Sequence, residues 1–136
     1  MSGLLGYEID LTQLTTAEKT AIKEQIHVYK QQRHLLQFGR FVRLLSPFEG
    51  NDTAWMYISQ DRSEAMVFYF RVLAEASAPL VTLKLQGLDA EKQYASDLGI
   101  QGGDELMQIG FYVDPHLAGD YASQMYHFKA IDKPEM

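Results

Sequence analysis

The chain has 136 residues, a formal net charge of −6 and no cysteine. This length suits one ordinary domain with an appendage. The acidic net charge argues against a nucleic-acid-binding surface. The lack of cysteine excludes disulfides, thiolate metal ligands and a cysteine nucleophile. No apolar run reaches the length of a membrane span, and the N-terminal residues lack a signal-peptide pattern, so the sequence predicts a soluble cytoplasmic protein.

The first strong signal along the chain is a long helix. Residues 15–18 have the capping-box pattern, in which the first and last side chains of the box each bond to the other residue's backbone N–H. A helix is therefore expected to begin near Thr16, and Gly39 is placed to end it. The apolar stripe of this helix, which we expect to pack on another surface, includes Ile22, Ile26 and Tyr29.

After Gly39 the pattern changes to the two-residue period of β-strands. The clearest part is a hairpin at 54–75, whose strands are joined by the polar segment 59–63. Its second strand is apolar on both faces, so we expect it to be covered on both sides. Together the strands predict an antiparallel sandwich or barrel. Further strands are predicted at 41–45, 81–85, 93–95, 105–109 and 121–131.

Seven segments carry a family resemblance, and they occur in order along the chain. They are GLLGYEIDL (3–11), KEQIHVYKQQRHLLQFG (23–39), RLLSPFEGN (43–51), AWMYIS (54–59), VLAE (72–75), GDELMQIG (103–110) and YHFKAI (126–131). Together they resemble the C-terminal end of bacterial α-galactosidases of glycoside hydrolase family 36. The resemblance implies that residues 1–38 are the C-terminal end of a (β/α)₈ barrel, comprising the last strand end, a loop and the last helix. Residues 39–136 would be a C-terminal antiparallel β-sandwich domain. The fold class is then mainly β, with one long amphipathic helix before the sandwich.

The same resemblance implies a function for the parent enzyme. Family members hydrolyse terminal α-galactosides such as melibiose and raffinose, using a pair of aspartates on earlier barrel strands that this chain does not contain. No catalytic residue and no cofactor are therefore expected here. The implied partner is the remainder of the α-galactosidase, a homo-oligomer is a further option, and galactosides would be bound only through the parent.

The titratable residues of the chain give little support for a reaction centre of its own. Glu8 and Asp10 lie two apart in an extended segment, whereas Asp104 and Glu105 are neighbours in a predicted strand and point to opposite sides. The histidines do not have the spacing of a zinc site, so no metal is expected. They are His27, His34, His116 and His127.

Aromatic residues leave an alternative open. Trp55 and Tyr57 share one side of their strand, and sugar-binding sandwiches often stack such rings on a pyranose. A role in the core or at a domain interface is the competing interpretation, because the two residues lie in the most apolar part of the chain. The alternative functions are thus a free-standing carbohydrate-binding sandwich or a protein-interaction module.

Overall fold

The computed structural model of the chain describes residues 3–132. The chain divides into two compact units, Met1–Phe38 and Gly39–Met136. Its elements in chain order are α1 (Thr16–Phe38), β1 (Arg40–Leu45), β2 (Asp52–Ile58), β3 (Glu64–Arg71), β4 (Thr82–Leu83), β5 (Gln93–Ser96), β6 (Gly99–Gly102), α2 (Gly103–Gln108), β7 (Phe111–Tyr112) and β8 (Ser123–Ile131).

The first unit contains the predicted helix, and the capping box at its start is confirmed. The backbone N–H of Thr15 donates to Glu18 Oε2 at 2.8 Å, and the N–H of Glu18 donates to Thr15 Oγ1 at 3.3 Å. These bonds satisfy donors that a helix start otherwise leaves without partners. The bond from the Thr15 N–H also lowers the pKa of the Glu18 carboxyl. Within residues 3–132, no helix is both long and apolar enough to cross a bilayer.

The second unit is a β-sandwich made of two unequal sheets. The larger sheet has six strands in the order β1-β2-β3-β8-β5-β6, every pair antiparallel, and the smaller sheet pairs β4 with β7. Strands β1 and β6 are the edges of the larger sheet, and the register of β1 shifts between Arg43 and Leu45. Both sheets contribute side chains to one buried core, which confirms the sandwich. Its largest buried members are Tyr69, Tyr94, Phe128, Met56, Ile58, Leu83, Leu85 and Leu106.

The central hairpin is formed by β2 and β3, as predicted. On one face of β3, Ala65, Val67 and Tyr69 belong to the core of the sandwich. On the opposite face, Met66 and Phe68 are only 1% and 4% exposed. The prediction that this strand is buried on both faces is confirmed.

The predicted strand at 105–109 is wrong, because this segment forms the short helix α2. The strand β6 lies just before it, at Gly99–Gly102. A Cβ added to Gly103 would lie 2.0 Å from the carbonyl oxygen of Asp89, so only glycine fits where the helix begins. Gly110, at φ +83°, accepts the left-handed conformation that ends the helix. The expectation of purely β structure after Gly39 is corrected accordingly.

Two other predicted strands are shorter than expected. The segment 81–85 contributes only Thr82–Leu83 to the ladder, since the N–H of Leu85 donates instead to the carbonyl of Leu106 at 2.9 Å. The closing strand begins at Ser123 rather than Tyr121, because Tyr121 has φ +56°, which interrupts extended backbone.

Candidate functional site

Two of the acidic residues, Asp10 and Asp104, accept hydrogen bonds from residues close to them in the chain. Asp10 Oδ1 accepts bonds from the hydroxyl of Thr12 at 2.6 Å and from its backbone N–H at 2.9 Å. The hydroxyl bond is the main cause that lowers the pKa of Asp10. Asp104 accepts a bond from the N–H of Glu105 at 2.8 Å, and Glu8 is exposed. Asp10 and Asp104 therefore support the backbone around them.

The histidines are distributed over separate elements. His27 bonds to Gln31 within α1, the ring of His34 packs at a tilt against Phe38 of the same helix, and His116 is exposed. His127 on β8 places Nε2 2.5 Å from Oε1 of Glu64 on β3. Across the described part of the chain, no group of three or more histidine, cysteine or acidic residues is arranged to hold a metal ion.

Trp55 and Tyr57 lie together on the face of the larger sheet that points away from the sandwich core. Antiparallel pairing places Trp55 of β2 opposite Phe68 of β3, and Tyr57 of β2 opposite Phe41 of β1. The Trp55 ring stacks on Phe70 with 4.8 Å between centroids, and the Tyr57 ring meets Phe41 edge to face at 5.5 Å. We call these five residues the aromatic face.

The aromatic face is a cluster rather than a single exposed platform. One side of the Trp55 indole is already covered by the Phe70 ring. Trp55 and Tyr57 are half-buried, whereas Phe41 is 47% exposed. Only the two residues of β2 were predicted from the sequence, although the register of a hairpin also identifies their cross-strand partners.

A second candidate surface lies within the first unit. The helix stripe and the segment before it line an open groove of about 470 Å³. Ile22 and Ile26 are half-buried there, Tyr29 is buried, and Leu11 is 62% exposed. The predicted alignment of the stripe along one face is thus confirmed. We call this surface the apolar groove, lined by Leu5, Gly6, Tyr7, Ile9, Leu11, Ile22, Ile26, Tyr29, Lys30 and Arg33.

A partly buried polar network, which was not predicted from the sequence, joins the start of β2 to the end of β3. The hydroxyl of Tyr69 donates to Asp52 Oδ1, and Arg71 Nη2 donates to the Tyr69 oxygen at 3.1 Å. Arg71 also places Nε 3.5 Å from Asp52 Oδ1 and donates from Nη1 to the carbonyl of Leu117 at 2.9 Å. Burial raises the pKa of Tyr69 to about 12, so its phenol stays a neutral donor at physiological pH. Through the bond from Arg71 to Leu117, the network anchors the loop before β8.

Comparison with protein-family models gives two matches that follow one another along the chain. Residues 1–39 match the model described as Melibiase, and residues 52–128, more than half of the chain, match Glycosyl hydrolase family 36 C-terminal domain. The chain belongs to glycosyl hydrolase family 36. The resemblance carried by the seven sequence segments is therefore confirmed.

Curated and solved members of family 36 agree with this assignment. The chain is 54% identical over 134 residues to alpha-galactosidase AgaA of Geobacillus stearothermophilus, covering 98% of the chain and 18% of that enzyme. The crystal structure of AgaA matches 93% of the chain, at 55% identity and a TM-score of 0.89, and 18% of its own length. A variant of AgaA solved in complex with raffinose matches 90% of the chain, at 54% identity and a TM-score of 0.86, and 17% of its own length.

The chain matches the C-terminal part of these family 36 enzymes. It spans less than a fifth of the length of the relatives it matches. The match includes the sandwich, so the mainly antiparallel fold is that of the C-terminal region of family 36 α-galactosidases.

Proposed function

We propose that this chain is the C-terminal part of an α-galactosidase that hydrolyses terminal α-galactosides such as melibiose and raffinose. Residues 1–38 are the C-terminal end of its catalytic barrel, and residues 39–136 are its C-terminal β-sandwich domain. The observation that carries the proposal is the pair of successive family matches, with the Melibiase match at 1–39 and the C-terminal-domain match at 52–128. The raffinose complex of the AgaA variant supports the substrate class.

In this proposal the role of the chain is structural, and none of its residues is catalytic. A retaining glycosidase needs two carboxyls about 5–5.5 Å apart across the sugar, whereas Asp10 bonds to Thr12 close by in the chain and Asp104 bonds to the backbone at the start of α2. The catalytic aspartates then lie in the part of the enzyme that precedes this chain.

The apolar groove supports the assignment of the first unit to a barrel end. Ile22 and Ile26 are only half-buried, and Ile9 and Leu11 are 44% and 62% exposed. A continuous apolar surface of this kind marks a site that another element covers. We propose that the preceding helix and strands of the barrel cover it in the longer enzyme.

The proposal is tested with a chimera in which this chain replaces the matching C-terminal part of AgaA. The chimera is expected to hydrolyse a chromogenic α-galactoside, and the isolated chain is expected to show no turnover above background. Turnover by the isolated chain would overturn the assignment of a non-catalytic role. A soluble, folded chimera without activity would contradict the proposed place of the chain in such an enzyme.

A matched pair of variants tests the groove in the same chimera. Ile26→Asp adds a charge within the apolar groove, where an unpaired carboxylate is costly to bury. The yield of soluble, active enzyme should therefore fall by at least about tenfold. Gln31→Asp adds the same charge at an exposed position of α1 outside the groove. It should leave the yield and the activity near those of the parent chimera, and equal losses in both variants would argue against a covered groove.

The aromatic face supports a second candidate function, a carbohydrate-binding sandwich with Trp55 and Tyr57 as the contact residues. Phe41, at the margin of the cluster, is 47% exposed and could extend a stacking surface. Trp55 is the only tryptophan, so its fluorescence reports directly on this face. Saturable quenching by raffinose that Trp55→Phe removes would favour this function. Unchanged fluorescence at millimolar sugar would exclude it.

We further propose that the longer enzyme is cytoplasmic and forms a homo-oligomer. The absence of cysteine from this chain supports a reducing compartment. Exposed apolar side chains at one end of the larger sheet, including Phe48 at 90% and Tyr121 at 79%, offer a contact surface for assembly. Light scattering of the chimera, and of its Phe48→Asp variant, tests the oligomer.

A further inference from the structure

A small cleft beside the β2–β3 turn is lined by two arginines and no carboxylate. Arg40 opens β1 opposite Ile58, and Arg62 belongs to the turn that follows β2. The cleft has a volume of about 150 Å³ and is lined by Arg40, Ile58, Ser59, Gln60, Arg62 and Gly87. The cleft is thus lined by two arginines, both exposed, in a chain whose net charge is −6.

Neither arginine forms an ion pair with a nearby acid. Within residues 3–132, Arg40 and Arg62 form no ion pair with a carboxylate. Asp61 is adjacent to Arg62 in the chain, but its Oδ1 accepts bonds from the hydroxyls of Ser59 and Ser63, both at 2.7 Å. The positive charge at the cleft is thus available to an external anion.

The guanidinium of Arg40 and the backbone of Arg62 are held in defined places. A Cβ at Gly87 would lie 2.1 Å from Arg40 Nη2, so the guanidinium occupies the space that the missing side chain leaves, and φ +78° independently requires glycine there. Arg62 has φ +58°, an uncommon conformation for a residue with a side chain. The backbone of Arg62 is fixed because its N–H donates to the Ser59 carbonyl at 3.0 Å and its carbonyl accepts the Tyr94 hydroxyl at 2.7 Å.

Size and chemistry define the ligand. Pockets for whole small molecules measure about 300–1,000 Å³, so a cleft of about 150 Å³ accommodates one functional group. Guanidinium groups bind carboxylate and phosphate oxygens through paired N–H donors. We propose that the cleft between Arg40 and Arg62 binds a single oxyanion, either a free inorganic phosphate or a carboxylate. An uncharged galactoside does not satisfy this chemistry, so the site is independent of the proposed function.

The test is a titration of the full chain with inorganic phosphate, and separately with acetate, by calorimetry at constant chloride concentration. Saturable binding with one site per chain is expected. The anion that binds with the higher affinity shows whether the site prefers a phosphate or a carboxylate. Arg40→Gln and Arg62→Gln should each weaken binding by about tenfold or more. Arg43→Gln, at an exposed position of the same strand outside the cleft, should bind like the parent chain.

Circular dichroism and the urea midpoint establish that each variant is folded, and Arg62→Gln serves alone if Arg40→Gln does not fold. Two results would overturn the proposal. The first is the absence of saturable binding of either anion at millimolar concentration. The second is equal binding by the parent chain and a folded Arg62→Gln variant.

Discussion

Removing the hydroxyl of Tyr69 tests the partly buried network that joins β2 to β3. Tyr69→Phe keeps the fully buried ring, so no cavity forms. The change deletes the bond to Asp52 and the bond from Arg71 Nη2 at 3.1 Å. Each bond has a charged partner, and a bond of this kind contributes roughly 1.5–3 kcal/mol. Arg71 keeps its bond to the Leu117 carbonyl, so we expect a net loss of about 2–3 kcal/mol in the free energy of unfolding.

The assay is urea unfolding followed by the fluorescence of Trp55, the only tryptophan. With a urea dependence of roughly 1–3 kcal/mol per molar, this loss lowers the unfolding midpoint by about 1 M. Tyr112→Phe is the matched control, since Tyr112 is 61% exposed, and its midpoint should not move. Indistinguishable midpoints for the two variants would refute the energetic role of the network.

The difference in stability between the parent chain and Tyr69→Phe should depend on pH, and the pKa of Tyr69 gives the sign of that dependence. The pKa of Tyr69 rises from 10.0 to about 12 in the folded chain, mainly because the phenol is buried. Its contribution to stability is therefore complete below pH 10 and is lost as the pH rises toward 12. Two pKa units correspond to on the order of 2–3 kcal/mol. The difference in stability between the parent chain and Tyr69→Phe should shrink over this range, and a constant difference would contradict the assigned cause.

Three further changes test local features. Gly103→Ala would bring a Cβ to 2.0 Å from the backbone oxygen of Asp89 and should cost about 3 kcal/mol or more in urea unfolding, whereas Gly50→Ala, with nothing within 4 Å, should cost far less. Thr15→Ala removes the cap of α1 and should lower the stability of the first unit by about 1 kcal/mol, seen as reduced helical circular dichroism on heating. The hydroxyl of Ser63 is the main cause that lowers the pKa of Asp61 from 3.8 to about 2. The parent chain should therefore be more stable than Asp61→Asn above pH 3.8 and lose this advantage as the pH falls toward 2, and a difference independent of pH would contradict this cause.

The helix and the central hairpin were predictable because their signals are local. The capping box at 15–18 and the glycine at 39 define the ends of α1 from neighbouring residues alone. The segment 59–63 separates two strongly apolar strands, and its serines and aspartate make the turn bonds. In both cases the tertiary structure reinforces what the local sequence favours.

Helix α2 was not predictable in the same way. A short apolar run such as 105–109 suits a strand or a helix equally well. The deciding contact is the close approach of Gly103 to the carbonyl of Asp89, which lies fourteen positions earlier in the chain. The partners of Tyr69, Asp52 and Arg71, are paired in the hairpin and follow from its register. Only the bond from Arg71 to the Leu117 carbonyl, which spans 46 residues, depends on a distant part of the chain. By contrast, the strand register brings Trp55 to Phe68, so that part of the aromatic face follows from the hairpin alone.

The two outermost strands of the larger sheet also affect how this protein behaves when it is concentrated or newly made. An unpaired strand exposes backbone groups that can recruit another chain and seed fibrils. Strand β6 has only four residues and passes directly into a helix, which leaves little length for such recruitment. Strand β1 is longer, but its register shift after Arg43 interrupts a regular ladder. Both margins are thus poor templates for amyloid growth, even though the strands between them are among the most apolar of the chain.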